Sequence, residues 1–378
     1  MAIVKFGDIV RDVKINVNRA NNPYEHYVAG DHMDSEDLTI HRYGSFETDD
    51  VGPAFTRIFK PGQILYGSRR TYLKKVAVAD FEGICANTTF VLESKDEALF
   101  DNRLLPFIML SDAFTRWSIA HSKGSTNPYV LFSDLADYEF DLPPIAEQKV
   151  LADKLWAAYR LKESYKKLLA ATDEMVKSQF IEMFGNQDVN DRSWNESIVK
   201  DEFTLTMGKT PARNNPSFWQ SGTNKWISIS DMARYGRYTE DTQESITDIA
   251  VAESGIKIVP KGTIIMSFKL SIGRTAVTSE DIYTNEAIMA FRDVDETKFN
   301  MTFLQFLIAN KSWLLNAKQA VKGQTLNKES IGNARIIVPP IGLQEQFAAI
   351  YNQADKSKFE LRKSIEAIDQ VIKSLINS

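Results

Sequence analysis

Asn21-Asn22-Pro23-Tyr24 and Thr126-Asn127-Pro128-Tyr129 are the stretches of this chain that come nearest to a catalytic signature. Asp or Asn followed by Pro-Pro-Tyr, beside a glycine-rich cofactor turn, would clamp the amino group of an adenine for methyl transfer. Each tetrapeptide here is one proline short and has no such turn near it, so both read as loops. Gly208-Lys209-Thr210 imitates the end of a phosphate-binding loop, but the glycine required five residues earlier is replaced by Phe203. His26, His32, His41 and His121 lie near Glu25, Asp31 and Asp34 without helical ligand spacing or cysteines, and read as surface histidines rather than metal ligands. Asp80, Glu82 and Glu93, near Lys74 and Lys75, match no nuclease arrangement. The chain reads as a non-catalyst.

What the residues do offer is basic loops, and they come in pairs. FKPGQILYGSRRTYLKKVAVA from Phe59 lines up with VPKGTIIMSFKLSIGRTAVT from Val259, so that Gly62 faces Gly262, Ile64 faces Ile264, Arg69 faces Lys269 and Lys74 faces Arg274. Each reads as a strand, a basic loop and a second strand. ANTTFVLES from Ala86 resembles TNEAIMAFRD from Thr284, and HSKGSTNPYVLFSDL from His121 resembles AVKGQTLNKESI from Ala320. Before each of these last loops runs a stretch of helical spacing. Strands and helices mix without strict alternation, which predicts α+β units with a mostly antiparallel or mixed sheet.

The elements that must position these loops are also doubled. LPPIAEQ from Leu142 opens a long pattern that returns as VPPIGLQ from Val338, and at a fixed offset of 196 residues Pro143, Pro144, Ile145, Gln148, Lys162 and Asp173 meet Pro339, Pro340, Ile341, Gln344, Lys358 and Asp369. A repeat of this length divides the chain before any other consideration. Proline is tolerated where a helix starts, having no amide hydrogen to donate there, so a helix is expected from about Ile145 to Phe184 and another from Gly342 onward. Leu343, Phe347, Ile350, Ala354, Ser357, Leu361, Ser364, Ile368, Val371 and Leu375 alternate spacings of four and three, the seam of a left-handed coiled coil. Leu151, Ala158, Leu161, Tyr165, Leu168, Thr172 and Met175 keep that register in the first copy. Helices of this length find their economical partner in each other, and a twofold relation between copies sets them antiparallel with a globular domain at each end. The expected division is 1–141 and 185–337 for the globular domains, with spacer helices over 142–184 and 338–378.

Composition bounds the rest. At 378 residues with 43% hydrophobic and 25% charged residues, the chain is ordinary soluble globular protein, with no membrane-length apolar run. MAIVKFGDIVRDV carries charges where a secretory signal needs an apolar core, and the single cysteine, Cys85, makes no internal disulfide, so a reducing cytoplasm is expected. A net charge of -5 leaves nucleic-acid binding to local basic surface.

A variable domain, a loop like GSTNPYVLFSDL or GQTLNKESIGN, an extended segment ending in LPPIAEQ or VPPIGLQ and then a long helix, all occurring twice, resembles the DNA-specificity subunit of type I restriction-modification systems. The resemblance covers nearly the whole chain, including GKTPARN from Gly208, which looks like the glycine-threonine-proline opening of that family's target-recognition domains; the first unit's nearest stretch is NVNRANNPY, without that opening. The resemblance implies that each globular unit reads one half of a split double-stranded DNA target while the helix pair fixes the gap. It implies as partners two modification subunits that bring S-adenosylmethionine and methylate adenine, and restriction subunits that use ATP and Mg2+, with no cofactor bound by this chain. The candidate DNA contacts are then Ser68, Arg69, Arg70, Thr71, Lys74, Lys75, Lys123, Ser125, Thr126 and Asn127 in the first unit. In the second they are Lys209, Thr210, Arg213, Asn214, Lys269, Ser271, Arg274, Lys322, Gln324, Thr325, Asn327 and Lys328. Arginine suits guanine and Asn or Gln suits adenine, while cations and loop amides suit phosphates. Two other readings stay open: a non-catalytic protein-interaction scaffold, and the specificity chain of another restriction class.

Overall fold

In the computed structural model, which describes residues 2–18, 21–269, 271–314, 319–320, 323–324 and 326–377, each proline pair is followed directly by a long helix. These are Ile145–Phe184, of 40 residues, and Ile341–Asn377, of 37. At 1.5 Å per residue they measure about 60 and 55 Å. The chain divides into two units, Met1–Leu168 with Leu361–Ser378, and Leu169–Glu360. Each unit therefore takes part of both helices.

Inside the first unit Leu155 and Tyr159 share a core with Ile372, and Lys162 pairs with Asp369. Inside the second, Asp173 pairs with Lys358, and the Phe180 and Phe184 rings pack on Phe347 at 5.3 and 5.8 Å. One helix advances as the other retreats, so the paired segments run antiparallel in both units.

The seam matches its sequence expectation at Phe347 and Ala354, which are buried, and elsewhere differs from it by a rotation. Leu161, Leu168 and Met175 are 45%, 50% and 45% exposed, and Val371 and Ser357 are also exposed. There the buried row falls one residue later, on Lys162, Val176, Lys358 and Ile372, the Lys162 side chain being nearly buried. Each helix packs on its own globular lobe as well as on its partner, and the lobe's apolar area turns the buried face toward it. Tyr159 shows this: it is buried, its hydroxyl donating to Asp37 Oδ1 at 2.7 Å and accepting from the Leu38 amide at 2.9 Å. Trp156 is tied likewise, its indole N–H reaching the Arg103 carbonyl at 2.9 Å.

The globular lobes are built alike. The first has a four-stranded antiparallel sheet in the order Val10–Asp12, Thr89–Ser94, Ile64–Gly67, Val76–Val78; the second has Thr204–Met207, Ile288–Arg292, Ile264–Ser267, Thr275–Val277. Ile64 lies between Leu92 and Val78, as Ile264 lies between Phe291 and Val277. The turn before each central strand holds a glycine at positive φ, Gly62 at +86° and Gly262 at +80°, a conformation that side chains with a Cβ adopt at a cost. A second sheet in each lobe, of four strands in the first and three in the second, contains one parallel pair, Tyr27 with Ile84 and Trp226 with Tyr283. Helices Leu105–Leu110 and Asp112–Ala120 back the first sheet, split at Ser111, whose hydroxyl caps the restart at Phe114; one helix, Met301–Ala309, serves the second. The α+β reading with mostly antiparallel sheets holds.

The start of each long helix is fixed by its glutamine. Gln148 donates to the Pro143 and Leu99 carbonyls at 2.8 and 3.0 Å and accepts from the Asp101 amide at 3.0 Å. Gln344 donates to the Pro339 and Lys298 carbonyls at 2.8 and 3.0 Å and accepts from the Asn300 amide at 3.0 Å. Both side chains are buried, so each satisfies three backbone groups that water does not reach.

A second tie joins each lobe to its helix farther along. In the first unit Lys166 Nζ lies 2.9 Å from both Asp37 Oδ2 and Glu163 Oε1. Asp37, His41 and Glu163 group closely enough to suggest a metal site, but the Lys166 ammonium already supplies the counter-charge. Burial alone would raise the Asp37 carboxyl, yet hydrogen bonds from Tyr159, Lys166 and the Thr39 amide, with the lysine charge, hold it well below the usual carboxylate range. In the second unit the corresponding strut is Arg237, which donates to Gln305 and Asn352 and stacks over Tyr351 at 4.8 Å.

Candidate nucleic-acid interface

Two clusters some fifty residues apart in the first unit meet in space. The strand Ile64–Gly67 runs into Ser68-Arg69-Arg70, and the loop from Lys123 to Tyr129 is clipped along it. The Arg70 amide donates to the Pro128 carbonyl at 2.7 Å and the Val130 amide to the Ser68 carbonyl at 2.9 Å. Lys123 and Tyr129 exchange amide-to-carbonyl bonds of 2.7 and 2.9 Å, closing a loop with Gly124 at φ +88°. Lys123, Ser125, Thr126 and Asn127 are exposed on it, beside exposed Arg69 and Arg70. Neither arginine makes an ion pair among the described residues, so both guanidiniums are available to an anion or a base edge.

The Lys123 ammonium lies 3.0 Å from Asp134, and the remaining first-unit candidates are likewise held inside the unit. Ser68 is buried and its hydroxyl donates to the Thr88 carbonyl at 2.6 Å; Thr71 is buried against Ser122 at 3.2 Å. Arg70 and Lys74 flank the short helix Thr71–Leu73 at φ +50° and +47°, left-handed values uncommon for such residues. Lys74 pairs with Glu36 at 2.8 Å and lies 3.7 Å from Asp112, while Lys75 donates to the Gly30 carbonyl. These contacts hold the loop in shape, and the loop presents the arginines.

In the second unit Lys269 is exposed, its ammonium 5.6 Å from the Phe268 ring centre. The turn behind it is closed by the Ser271 amide on the Lys269 carbonyl at 2.8 Å and by the Gly273 amide on the Ser267 carbonyl at 2.9 Å. Arg274 is exposed and donates to the Ala233 carbonyl at 3.1 Å. Lys322 and Thr325 lie outside the described residues, as does the Gln324 side chain. The backbone of Gly323–Gln324 pairs antiparallel with Gln319–Ala320. Asn327 caps the helix Lys328–Gly332 by accepting from the Ser330 amide at 2.8 Å, which leaves Lys328 exposed at its first turn.

The Lys209 to Asn214 stretch is largely exposed, but most of its polar side chains are tied to partners within the unit. A Cβ on Gly208 would fall 1.9 Å from the Thr284 carbonyl oxygen, so only glycine lets this backbone lie against the neighbouring strand. Lys209 donates to the Ser254 carbonyl and Thr210 to Glu286. Arg213 forks onto Glu244 at 2.5 and 3.0 Å and lies 3.8 Å above the Trp219 ring. Asn214 alone of this group is simply exposed. Sequence reasoning left out two exposed tyrosines beside the first-unit arginines, Tyr72 at 54% and Tyr129 at 40%. Their signal was the adjacency of Tyr72 to the basic run and of Tyr129 to the loop that closes on it.

Two units of one design, each presenting a basic loop between the same two strands of an antiparallel sheet and each bound into a pair of long helices, define a doubled recognition module. The family model for the type I restriction modification DNA specificity domain matches residues 20–171 and 191–370, and the chain belongs to that family. It is 25% identical over 211 residues to the type I restriction enzyme MjaIX specificity subunit of Methanocaldococcus jannaschii, covering 54% of this chain and 48% of that one. It is 25% identical over 181 residues to the EcoDI specificity subunit of Escherichia coli, covering 47% and 40%. The chain thus spans about half or less of the length of these relatives. Among solved structures, it resembles a chain described under complex assembly and conformational transition of the type I R-M system, at TM-score 0.58, 17% identity and coverage of 99% and 96%. It also resembles the type I restriction-modification S subunit from M. genitalium, at TM-score 0.55, 13% identity and coverage of 99% and 94%. At these identities the two structures speak for the fold.

Proposed function

We propose that the chain is the DNA-reading subunit of a type I restriction-modification complex, each unit reading one half of a bipartite site and the helix pair setting the gap. The observation that carries this is the repetition of one basic loop, Arg69-Arg70 in one unit and Lys269 in the other, between equivalent strands. In the first unit the Lys123 to Asn127 loop joins that surface, giving cations for phosphates and amides and guanidiniums for base edges side by side. The chain is the non-catalytic member: methyl transfer from S-adenosylmethionine and ATP- and Mg2+-dependent cleavage belong to modification and restriction subunits in the cytoplasm. No helix among the described residues is long and apolar enough to cross a membrane.

The test is sequencing of modified bases in genomic DNA from cells carrying this chain with its cognate methyltransferase, against cells lacking this chain alone. A split adenine-methylated motif that disappears with the chain is the expected result. An unchanged set of motifs, with the methyltransferase shown to be active, overturns the reading.

A further inference from the structure

Strand register relates the two basic loops residue by residue. Gly67 pairs with Thr89 as Ser267 pairs with Ile288. The next rung holds in both units, the Ser68 amide donating to the Thr88 carbonyl at 3.1 Å and the Phe268 amide to the Ala287 carbonyl at 3.0 Å. Continued by one residue, the register sets Asn87 across from Arg69 and Glu286 across from Lys269. Asn87 and Glu286 thus hold one position of the shared fold, beside the residue that each loop presents. Both are exposed.

The two side chains are held differently. Glu286 accepts from the Thr210 hydroxyl, which accepts in turn from the Asn285 side-chain amide at 3.0 Å, and the Asn285 side-chain oxygen accepts from the Ala287 amide at 2.7 Å. This chain of bonds fixes the direction of the carboxylate and occupies one of its oxygens. Glu286 forms no ion pair among the described residues, although basic residues stand near it in the fold: Lys209 donates to the Ser254 carbonyl instead, and Arg274 to the Ala233 carbonyl. In the first unit Ala86 stands where Asn285 does, and the Gly208 to Pro211 motif has no counterpart. There the Asn87 amide is anchored on the Ala54 carbonyl at 2.9 Å, while its side chain makes no hydrogen bond among the described residues.

We propose that this position reads a base in each half of the target, Glu286 accepting from the N4 amino group of a cytosine and Asn87 bonding the N6 and N7 edge of an adenine. The inference rests on the DNA-reading function proposed above and adds to it two residues and the bases that they select. A carboxylate brought into the major groove meets acceptors on guanine and thymine, whereas cytosine offers a donor alone and adenine offers its donor beside an acceptor. Every base but cytosine leaves the charge wholly or partly unpaired, so selection comes from rejection as well as attraction. The Asn87 amide, with a donor and an acceptor side by side, matches the edge of adenine. Thr210 is a positioning residue for Glu286, which gives the Gly208 to Pro211 motif a role in the one unit that has it.

The test uses the assembled complex and the split motif that the unaltered chain imposes. Absence of any such motif would sink the DNA-reading function itself; with the motif in hand, competition binding to duplexes changed at one base pair at a time examines these two residues alone. Glu286→Gln is expected to lower discrimination at one cytosine of one half-site about tenfold, leaving the other positions as they were. Asn87→Ala should do the same at one adenine of the other half-site, and Thr210→Val should weaken discrimination at the Glu286 cytosine without shifting the preference to another base. Melting temperatures of all three variants accompany the binding. Discrimination unchanged at every position in Glu286→Gln or Asn87→Ala overturns the proposal, as does a loss spread evenly over the site, or both variants acting on the same half-site.

Discussion

Lys162 Nζ lies 2.5 Å from Asp369 Oδ1, and 196 residues on from the lysine, and back from the aspartate, Lys358 Nζ lies 2.8 Å from Asp173 Oδ1. Each helix gives the lysine in one unit and the aspartate in the other. The lysines are nearly buried while the aspartates are half exposed, at 11% against 51% in the second pair. Removing the carboxylate strands an ammonium, so Asp173→Ala should cost about 1–2 kcal/mol, whereas Lys358→Met should cost about 0–1 kcal/mol. Urea unfolding of both variants and their double mutant measures this; equal costs would show that the lysine stem, not its charge, is what the seam uses.

Gln344→Leu keeps the volume of a buried side chain but leaves two carbonyls and one amide without partners. The expected loss is about 2–4 kcal/mol, with Gln148→Leu similar in the first unit. Hydrogen exchange should localise the damage to the Asp101 and Asn300 amides. A change below about 0.5 kcal/mol would mean that water replaces the knot.

For the basic loops, an ion-pair partner within the unit separates braces from readers, since Arg213 is exposed like Arg69 and Lys269 but is forked onto Glu244. Arg69→Ala and Lys269→Ala should leave the melting temperature within about 2 °C and reduce specific binding by the assembled complex about tenfold each, with a shallower salt dependence where phosphate is the contact. Arg213→Ala should instead destabilise the second unit, because Glu244 and Trp219 lose their partner. Filter binding alongside thermal melts distinguishes the two outcomes. Loss of fold in the Arg69 or Lys269 variant would reassign that residue to structure.

Asp37 gives the first unit a defined response to pH. Its carboxyl is depressed, so its contribution is complete above the unfolded value near 4 and drains away as pH falls below it. Lys166, although burial pulls its ammonium down, is raised on balance by Asp37 and Glu163, so its contribution is complete below about 10.4 and is lost as pH rises beyond that. Asp37→Asn should flatten the acid limb of the stability profile and weaken the alkaline one. Chemical denaturation from pH 3 to 11 reads both limbs, and an unchanged acid limb would remove Asp37 from the account.

The architecture was legible because doubling made weak signals reinforce each other: Pro143-Pro144 and Pro339-Pro340 mark helices that begin where proline belongs, and Gly62 with Gly262 marks equivalent turns. The rotation of the seam was not legible. Periodicity reports an apolar stripe but not whether it faces a partner helix, a lobe, or the line between them. Nor could spacing reveal Asp37 with Tyr159, or Arg237 with Asn352, whose members are joined only by folding. GKTPAR carried its signal for a mixed reason, since Gly208, Thr210 and Arg213 are engaged within the second unit and only Asn214 stands simply exposed.

In the first unit, Ile368, Ile372, Leu375 and Ile376 complete a core whose other residues all come before position 169. On the ribosome that unit is therefore begun first and finished last, after the whole of the second has been made. At about 5–20 residues per second its core waits on the order of ten to forty seconds for its final turns. Nascent chains stalled shortly after Glu360 should be cleaved readily between residues 142 and 168, and chains released beyond Asn377 should not.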